Sequence, residues 1–169
     1  TRMRSSKLPA RTGLAALNPD GSPLWTSRAY EPFMPASTMK LITATVALQL
    51  LGQDWKPVTR VNYDEASETL YLVGGGDTML TSANLKTLAE RTVATLAAIN
   101  GHVTTLKLDD TLFPAPTVAP GVKTSQQPQE LNPIRALMVD RRISMDSSKL
   151  AVQFFVSNLA NAGVHVSYA

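Results

Sequence analysis

The chain has 169 residues, 44% of them hydrophobic, and a formal net charge of +3. That length suits one ordinary domain, and the mild charge, carried by scattered lysines and arginines, excludes the basic footprint of a nucleic-acid-binding protein. The absence of cysteine excludes disulfides and cysteine-ligated metals. Two distant histidines do not indicate a metal site, so we expect no cofactor. No stretch of about 18 apolar residues predicts a membrane-spanning helix.

The first predicted elements form a β-hairpin. Residues 13–17 are a short apolar strand, and residues 22–27 form a return strand. The intervening residues 18–21, Asn-Pro-Asp-Gly, have the composition of a turn, because asparagine and aspartate bond their own backbone and glycine tolerates positive φ. Two strands joined in this way predict an antiparallel pair.

Ser37 and Lys40 stand at the start of the next predicted element, an apolar helix over residues 37–51. A spacing of three brings two helical side chains onto one face, about 5–6 Å apart at Cβ. This arrangement suits a serine nucleophile that is activated by a lysine base. The helix N-terminus favours alkoxide character on Ser37 and the neutral form of Lys40. We take both as candidate catalytic residues; the alternative is that Ser37 is only an N-cap.

Strands and helices alternate from residue 57 onward. Apolar residues at helical spacing indicate the helices, and β-branched or aromatic runs indicate the strands. The alternation indicates an α/β (α+β) fold. We expect strands over residues 58–63, 69–73 and 102–108, helices over 85–99 and 147–162, a proline-rich loop over 111–130 and an extended segment over 134–144.

Two polar features of this region have both a functional and a structural interpretation. The glycines before Asp77 have the composition of a phosphate cradle, but the lysine and hydroxyl residue of a P-loop are missing. We therefore interpret them as a sharp turn at a strand end. Asp109 and Asp110 are adjacent, and adjacent strand residues point to opposite faces. We expect them at a solvated strand end and not in an acid/base site.

An ordered series of motifs carries a resemblance to a known family. A hairpin, a loop and a Ser-x-x-Lys helix open the fold of the serine β-lactamases and penicillin-binding proteins. With these motifs, the chain resembles the D-alanyl-D-alanine carboxypeptidase/endopeptidase family, the class C low-molecular-mass penicillin-binding proteins typified by penicillin-binding protein 4. The series comprises MPASTMKLITATVALQLLGQDW (residues 34–55), LYLVGGGDTML (70–80), LKLDDTLF (106–113), ALMVDR (136–141) and NAGVHVS (161–167).

The resemblance implies a fold, a domain organisation and an activity. Residues 1–56 would be the N-terminal part of a transpeptidase-like catalytic domain, and residues 57–169 an inserted domain typical of the family. The implied substrate is a peptidoglycan stem peptide, cleaved at its D-Ala-D-Ala bond through an ester on Ser37, with Lys40, partly neutral through burial, as the base. β-Lactams would trap the same serine as covalent inhibitors.

The resemblance also implies a location outside the cytoplasmic membrane, in the periplasm or cell-wall space, after removal of a signal peptide. Peripheral association with the wall or the membrane surface is a further expectation, since a mildly basic surface suits an anionic wall. Neither a metal nor an organic cofactor is implied, and no nucleic acid is expected as a partner.

The chain departs from the family pattern in two respects. Thr78 stands where the family usually has proline, and the Ser-x-Asn and Lys-Thr-Gly motifs that complete such a site lie beyond the last residue. Residues 82–84, Ser-Ala-Asn, have the letters of the first motif, but we interpret Ser82 as a helix N-cap. Residues 123–125, Lys-Thr-Ser, fall in the predicted loop. We expect the remainder of a longer polypeptide to complete the site.

Two other functions remain open. One is a β-lactamase or esterase of the same fold, which turnover of a β-lactam, as opposed to slow trapping, would reveal. The other is a non-catalytic cell-wall-binding fragment, which would bind wall material without forming an acyl-serine.

Overall fold

The computed structural model describes residue 9, residues 11–114 and residues 117–169. These residues fall into two compact units, an N-terminal unit that ends at Trp55 and a C-terminal unit from Lys56 to Ala169. The elements in chain order are β1 (Leu14–Leu17), β2 (Pro23–Ser27), α1 (Met39–Leu51), β3 (Arg60–Asp64), β4 (Thr69–Val73), α2 (Ser82–Ala98), β5 (Thr105–Asp109), α3 (Ser147–Asn161) and β6 (Ser167–Tyr168).

The N-terminal unit contains the predicted hairpin and the predicted apolar helix. β1 and β2 are antiparallel, with Leu14 opposite Ser27 and a bulge near the turn, so the hairpin prediction is confirmed. Gly21 adopts φ 84 in that turn, a conformation that glycine supplies at little cost. The helix α1 ends at Gly52, whose φ is 82.

The C-terminal unit is built on a four-stranded sheet in the order β3-β4-β5-β6. β3 is antiparallel to β4, whereas β4, β5 and β6 are mutually parallel. Parallel neighbours need a long crossover connection, and α2 and α3 lie in the two crossovers. The alternating elements thus form a mixed α+β structure, and the predicted fold class is confirmed.

The hydrophobic core belongs to the C-terminal unit. It lies between one face of the sheet and the two helices α2 and α3, which also pack against each other. Alternation along β4 and β5 sends every second side chain to this face, and the helices contribute apolar stripes. The fully buried members are Leu70, Leu72, Leu106, Leu85, Ala89, Leu137, Val139, Ala151, Val152, Phe155 and Leu159.

Two predicted boundaries differ from the structure. The helix predicted to begin at Ser37 starts as a 3₁₀ turn over Ala36–Thr38 and becomes α-helical only at Met39. The segment predicted to be extended over residues 134–144 contains no strand; Asp77 and Leu137 make an isolated parallel bridge. Asp140 and Arg141 both have φ 51, so the backbone turns there and cannot continue as a strand.

No helix in the described ranges is long and apolar enough to cross a membrane. The chain divides into two units after Trp55 because residues on each side of that point contact mainly residues on the same side. The identification of the C-terminal unit with the inserted domain of the family stays a prediction.

Candidate active site

Ser37 lies in the 3₁₀ turn that leads into α1, and Lys40 lies in the first turn of α1. Thr38 holds this junction together, because its backbone N–H donates to the Pro35 carbonyl at 3.0 Å and its hydroxyl donates to the same oxygen. Thr38 and Met39 both have right-handed helical dihedrals. The backbone therefore runs helically from Ser37 to Lys40, the geometry in which residues three apart share a face.

Ala36, directly before Ser37, adopts φ 45. A non-glycine residue in the left-handed region costs roughly 1–2 kcal/mol, because its Cβ approaches the following carbonyl. Backbone strain of this kind concentrates at functional sites. The candidate nucleophile thus follows a strained residue and precedes a helix, which fixes its backbone at a sharp change of direction.

The surroundings of Lys40 differ from the sequence expectation. Burial was expected to help keep its amine neutral, but Lys40 is exposed and α1 has no buried residue at all. The reason is that the described part of the N-terminal unit has no other element that covers the faces of α1: Leu41 is 71% and Leu50 79% exposed. Ser37 is exposed as well. Lys40 thus lies in the first turn of α1 and Ser37 in the 3₁₀ turn before it, and neither has the burial that the sequence analysis expects.

Ser82 and Asn84 serve α2 locally, and one detail of the prediction is wrong. The N-cap of α2 is Thr81, not Ser82. The Thr81 hydroxyl accepts the Asn84 N–H at 3.1 Å, while the Asn84 side-chain oxygen accepts the Thr81 N–H at 3.0 Å. This reciprocal capping box satisfies donors that the first helical turn leaves free. The cap forms one residue earlier because the extended backbone ends at Thr81.

The Lys123-Thr124-Ser125 segment also has a local structural setting. It lies in the loop, where residues Thr124–Gln126 form a short 3₁₀ turn. The Lys123 N–H donates to the Gln126 side-chain oxygen at 2.9 Å. A catalytic Lys-Thr-Gly lies on a strand, and this segment does not.

The glycine run before Asp77 is a site of close backbone packing. The Gly74 N–H donates to the Asp109 carbonyl at 3.0 Å, and the Gly76 N–H donates to the Ala136 carbonyl at 2.8 Å. A Cβ on Gly75 would lie 2.1 Å from the Val58 carbonyl oxygen, so only glycine fits there. These N–H groups are used inside the fold, which supports the structural interpretation.

Asp110 is more enclosed than predicted. Its carboxylate accepts the Ala136 N–H at 2.7 Å and lies 3.4 Å from Arg135, and the Asp110 and Arg135 side chains are 17% and 31% exposed. Asp109 is hydrogen-bonded to Thr111, whose hydroxyl lowers the pKa of that carboxyl most, followed by its amide. The expectation of a solvated strand end is thus wrong for Asp110, because residues 135–136 fold back onto it.

Asp140 has a role that the sequence did not indicate. Its carboxylate accepts the Ser82 N–H at 2.9 Å although 58 residues separate them, and its own N–H donates to the Leu80 carbonyl at 2.9 Å. It therefore joins the ALMVDR segment to the start of α2. No local pattern reveals such a partner; the resemblance flagged the segment without giving its contact.

Sequence comparison places this arrangement in a family. Residues 9–153 match the D-Ala-D-Ala carboxypeptidase 3 (S13) family, so the chain belongs to that family of peptidases. It is 36% identical over 100 residues to a D-alanyl-D-alanine carboxypeptidase of Actinomadura sp., covering 55% of this chain and 18% of the relative. It is 30% identical over 169 aligned residues to the carboxypeptidase DacB of Mycolicibacterium smegmatis, covering 80% of this chain and 36% of the relative. The chain thus spans about a third or less of these relatives.

Proposed function

We propose that the whole protein to which this chain contributes is a serine-type D-Ala-D-Ala carboxypeptidase/endopeptidase. The observation that carries the proposal is the position of Ser37 and Lys40, three residues apart where a strained turn enters α1. Membership of the family and the names of two relatives support the substrate class. The substrate would be a peptidoglycan stem peptide, outside the cytoplasmic membrane.

The proposed reaction is acyl transfer in two steps. The Ser37 hydroxyl attacks the carbonyl carbon of the D-Ala-D-Ala bond while Lys40 takes the hydroxyl proton. The C–N bond then breaks, the terminal D-alanine leaves with a proton, and an ester on Ser37 remains. Water hydrolyses the ester and regenerates the serine. The Ser37 backbone N–H is a candidate donor to the oxyanion.

Lys40 must be a neutral amine to accept that proton. Because Lys40 is exposed in this chain, we assign the environment that keeps its amine neutral to the remainder of the polypeptide, which would also supply the Ser-x-Asn and Lys-Thr-Gly motifs. The mechanism requires neither a metal nor an organic cofactor.

Labelling with a fluorescent penicillin tests the nucleophile. The reagent mimics the substrate carbonyl and leaves a stable ester on the attacking serine. In the full-length protein, we expect label on the peptide that contains Ser37 and none in Ser37→Ala. Ser82→Ala is the matched control and should label normally, because Ser82 belongs to α2. Label on another serine, or normal labelling of Ser37→Ala, would contradict the assignment.

Lys40→Arg tests the base. Arginine retains the positive charge but does not deprotonate in proteins. The variant should fold and acylate about 10²–10⁴-fold more slowly, the loss typical of removing general-base help. Stopped-flow measurement of penicillin acylation gives the rate, and circular dichroism confirms folding. An acylation rate near the wild-type value would place the base elsewhere.

A further inference from the structure

β3 is an outer strand of the sheet in the C-terminal unit. Within the described ranges, its hydrogen-bonding edge away from β4 meets no other strand. Outer strands are templates for pairing with further strands unless charge, proline or a bulge protects them. β3 has no proline, and its register with β4 is regular from Arg60 to Asp64. Its two charged residues, Arg60 and Asp64, stand at its ends and have opposite signs, so the strand is open to a partner that matches both charges.

An apolar groove runs beside this edge on the face that carries the helices. Val61 and Tyr63 of β3 form one side. The other side is contributed by α2 and its C-cap, with apolar Leu88, Leu96 and Ile99 and polar Arg91, Thr92 and Thr95. Its volume is about 210 Å³. A strand added to β3 would direct every second side chain toward this groove. Apolar residues at alternate positions are thus what the added strand needs.

β3 itself has that pattern, and it complements itself. Antiparallel pairing of two copies about Asn62 places Arg60 of one copy opposite Asp64 of the other. The same register places Val61 opposite Tyr63, and Asn62 opposite Asn62. In each of these pairs the two residue numbers differ by an even number. Both residues of a pair therefore direct their backbone N–H and C=O groups to the same side of the strand, as antiparallel pairing requires. One register therefore satisfies charge, apolar contact and backbone pairing together.

The two ends of β3 carry opposite charges, and the Asp64 carboxylate already accepts the Ala66 N–H at 3.1 Å and the Ser67 hydroxyl at 2.6 Å. Arg60 and Asp64 are exposed, and Lys107 adds a weaker electrostatic attraction to the Asp64 carboxylate. The hydroxyl of Ser67 hydrogen-bonds the Asp64 carboxylate and lowers its pKa most, so Asp64 is negative at neutral pH. A twofold interface uses each pair twice. Two opposite-charge pairs then flank the apolar centre.

We propose that β3 is a self-association surface whose occupant is β3 of a second copy of this chain. The two sheets join into one continuous sheet across a twofold axis at Asn62. The Val61 and Tyr63 side chains of one copy then contact those of the other copy, with one groove on each side of them. The charge pattern favours a second copy, because β3 in this antiparallel register itself supplies a negative group opposite Arg60 and a positive group opposite Asp64.

A single cysteine at the axis tests the geometry, because the chain has no cysteine of its own. In the proposed dimer, the two Asn62 Cα atoms lie about 4.5–5.5 Å apart, within the range of a disulfide. Asn62→Cys should form a disulfide-linked dimer under mild oxidation, seen by non-reducing electrophoresis and intact mass. Lys107→Cys is the matched control: it replaces an exposed residue of the inner strand β5 and should remain mostly monomeric.

Charge reversal tests the register. Arg60→Glu places two carboxylates together at each end, and we expect self-association to weaken on the order of tenfold in sedimentation equilibrium. Asp64→Lys should do the same. An equimolar mixture of the two variants restores both opposite-charge pairs, so it should associate as the wild type does. Lys149→Glu changes the net charge equally on α3, which packs on α2 and β5, and should have no effect.

The mixture separates pairing at β3 from association through the exposed α1, which would not respond to these charges. The mixture also distinguishes loss of β3 pairing from a folding defect in either variant, because mixing two misfolded variants would not restore association. If the Asn62→Cys variant cross-links no faster than the Lys107→Cys variant, or the mixture associates no better than each variant alone, the proposal is wrong. A monomeric Asn62→Cys variant whose new thiol resists a thiol reagent would show another segment on β3 and would overturn it equally.

Discussion

The two helices α1 and α3 have similar lengths and opposite surroundings. α1 has 13 residues and buries none, whereas α3 has 15 residues and buries six. In α3 the buried positions form one stripe that faces the sheet and α2. In α1 the apolar residues are distributed around the axis. A helix that is apolar on every side requires partners on every side, and the described part of the N-terminal unit does not supply them for α1.

The comparison shows where stability and chemistry reside. The C-terminal unit has the core, and the N-terminal unit has the candidate nucleophile and base on a helix without cover. An exposed apolar surface of this extent is a binding surface or an association hazard. We infer that the C-terminal unit gains most of its stability from its own core, and that α1 depends on contacts from outside the N-terminal unit.

The largest difference should appear when the same substitution is made in both units. Leu72 of β4 is 0% exposed, and Leu50 of α1 is 79% exposed. Leu72→Ala leaves a cavity in the core and should lower the free energy of unfolding by about 2–5 kcal/mol. Leu50→Ala should change it by less than about 0.5 kcal/mol. Urea unfolding followed by circular dichroism gives both values. Equal losses would show that α1 is as firmly packed as β4.

The start of α2 offers a smaller and more local test of the C-terminal unit. Thr81 caps the helix through its hydroxyl, and Ser82 stands one residue further. Thr81→Ala should cost about 1 kcal/mol, the usual value for loss of a capping side chain. Ser82→Ala should be nearly neutral, since its backbone N–H still donates to Asp140. Urea unfolding of each variant gives its loss in free energy of unfolding. A larger loss in Ser82→Ala would make Ser82 the capping residue after all.

The sequence predicted those parts of the structure that local chemistry determines. The hairpin depends on a turn of four residues, α2 and α3 depend on apolar spacing, and all three are confirmed. The placement of Ser37 and Lys40 near a helix start is equally local. The prediction of Ser82 as the N-cap is wrong because the neighbouring Thr81 caps equally well, and only the path of the preceding backbone decides.

The features that were missed depend on distant partners. Asp140 reaches Ser82 across 58 residues, and Asp110 reaches Arg135 across 25. Neither pairing has a periodicity or a spacing that a single sequence displays. The exposure of Lys40 was missed for a related reason, since an apolar helix indicates a need for cover without showing which element provides it.

Acid should weaken the C-terminal unit through Asp109. The Thr111 hydroxyl, and then its amide, lower the pKa of this carboxyl in the folded state. A lowered pKa contributes stability above the unfolded value of about 3.9, and the contribution is lost as pH falls through the lower folded pKa. Asp109→Asn does not titrate. Its stability deficit at about pH 7 should therefore shrink toward zero as the pH falls well below about 4.

Asp20 supplies the comparison in the N-terminal unit. The Ser22 hydroxyl lowers the pKa of that carboxyl in the same way, but the turn it stabilises lies outside the C-terminal core. Asp20→Asn should leave the unfolding transition of the C-terminal unit unchanged at every pH, while Asp109→Asn shifts it. Urea unfolding across the acid range measures both. A pH-dependent shift of the same size in Asp20→Asn would mean that the two units unfold together, and that the hairpin shares the stability of the core.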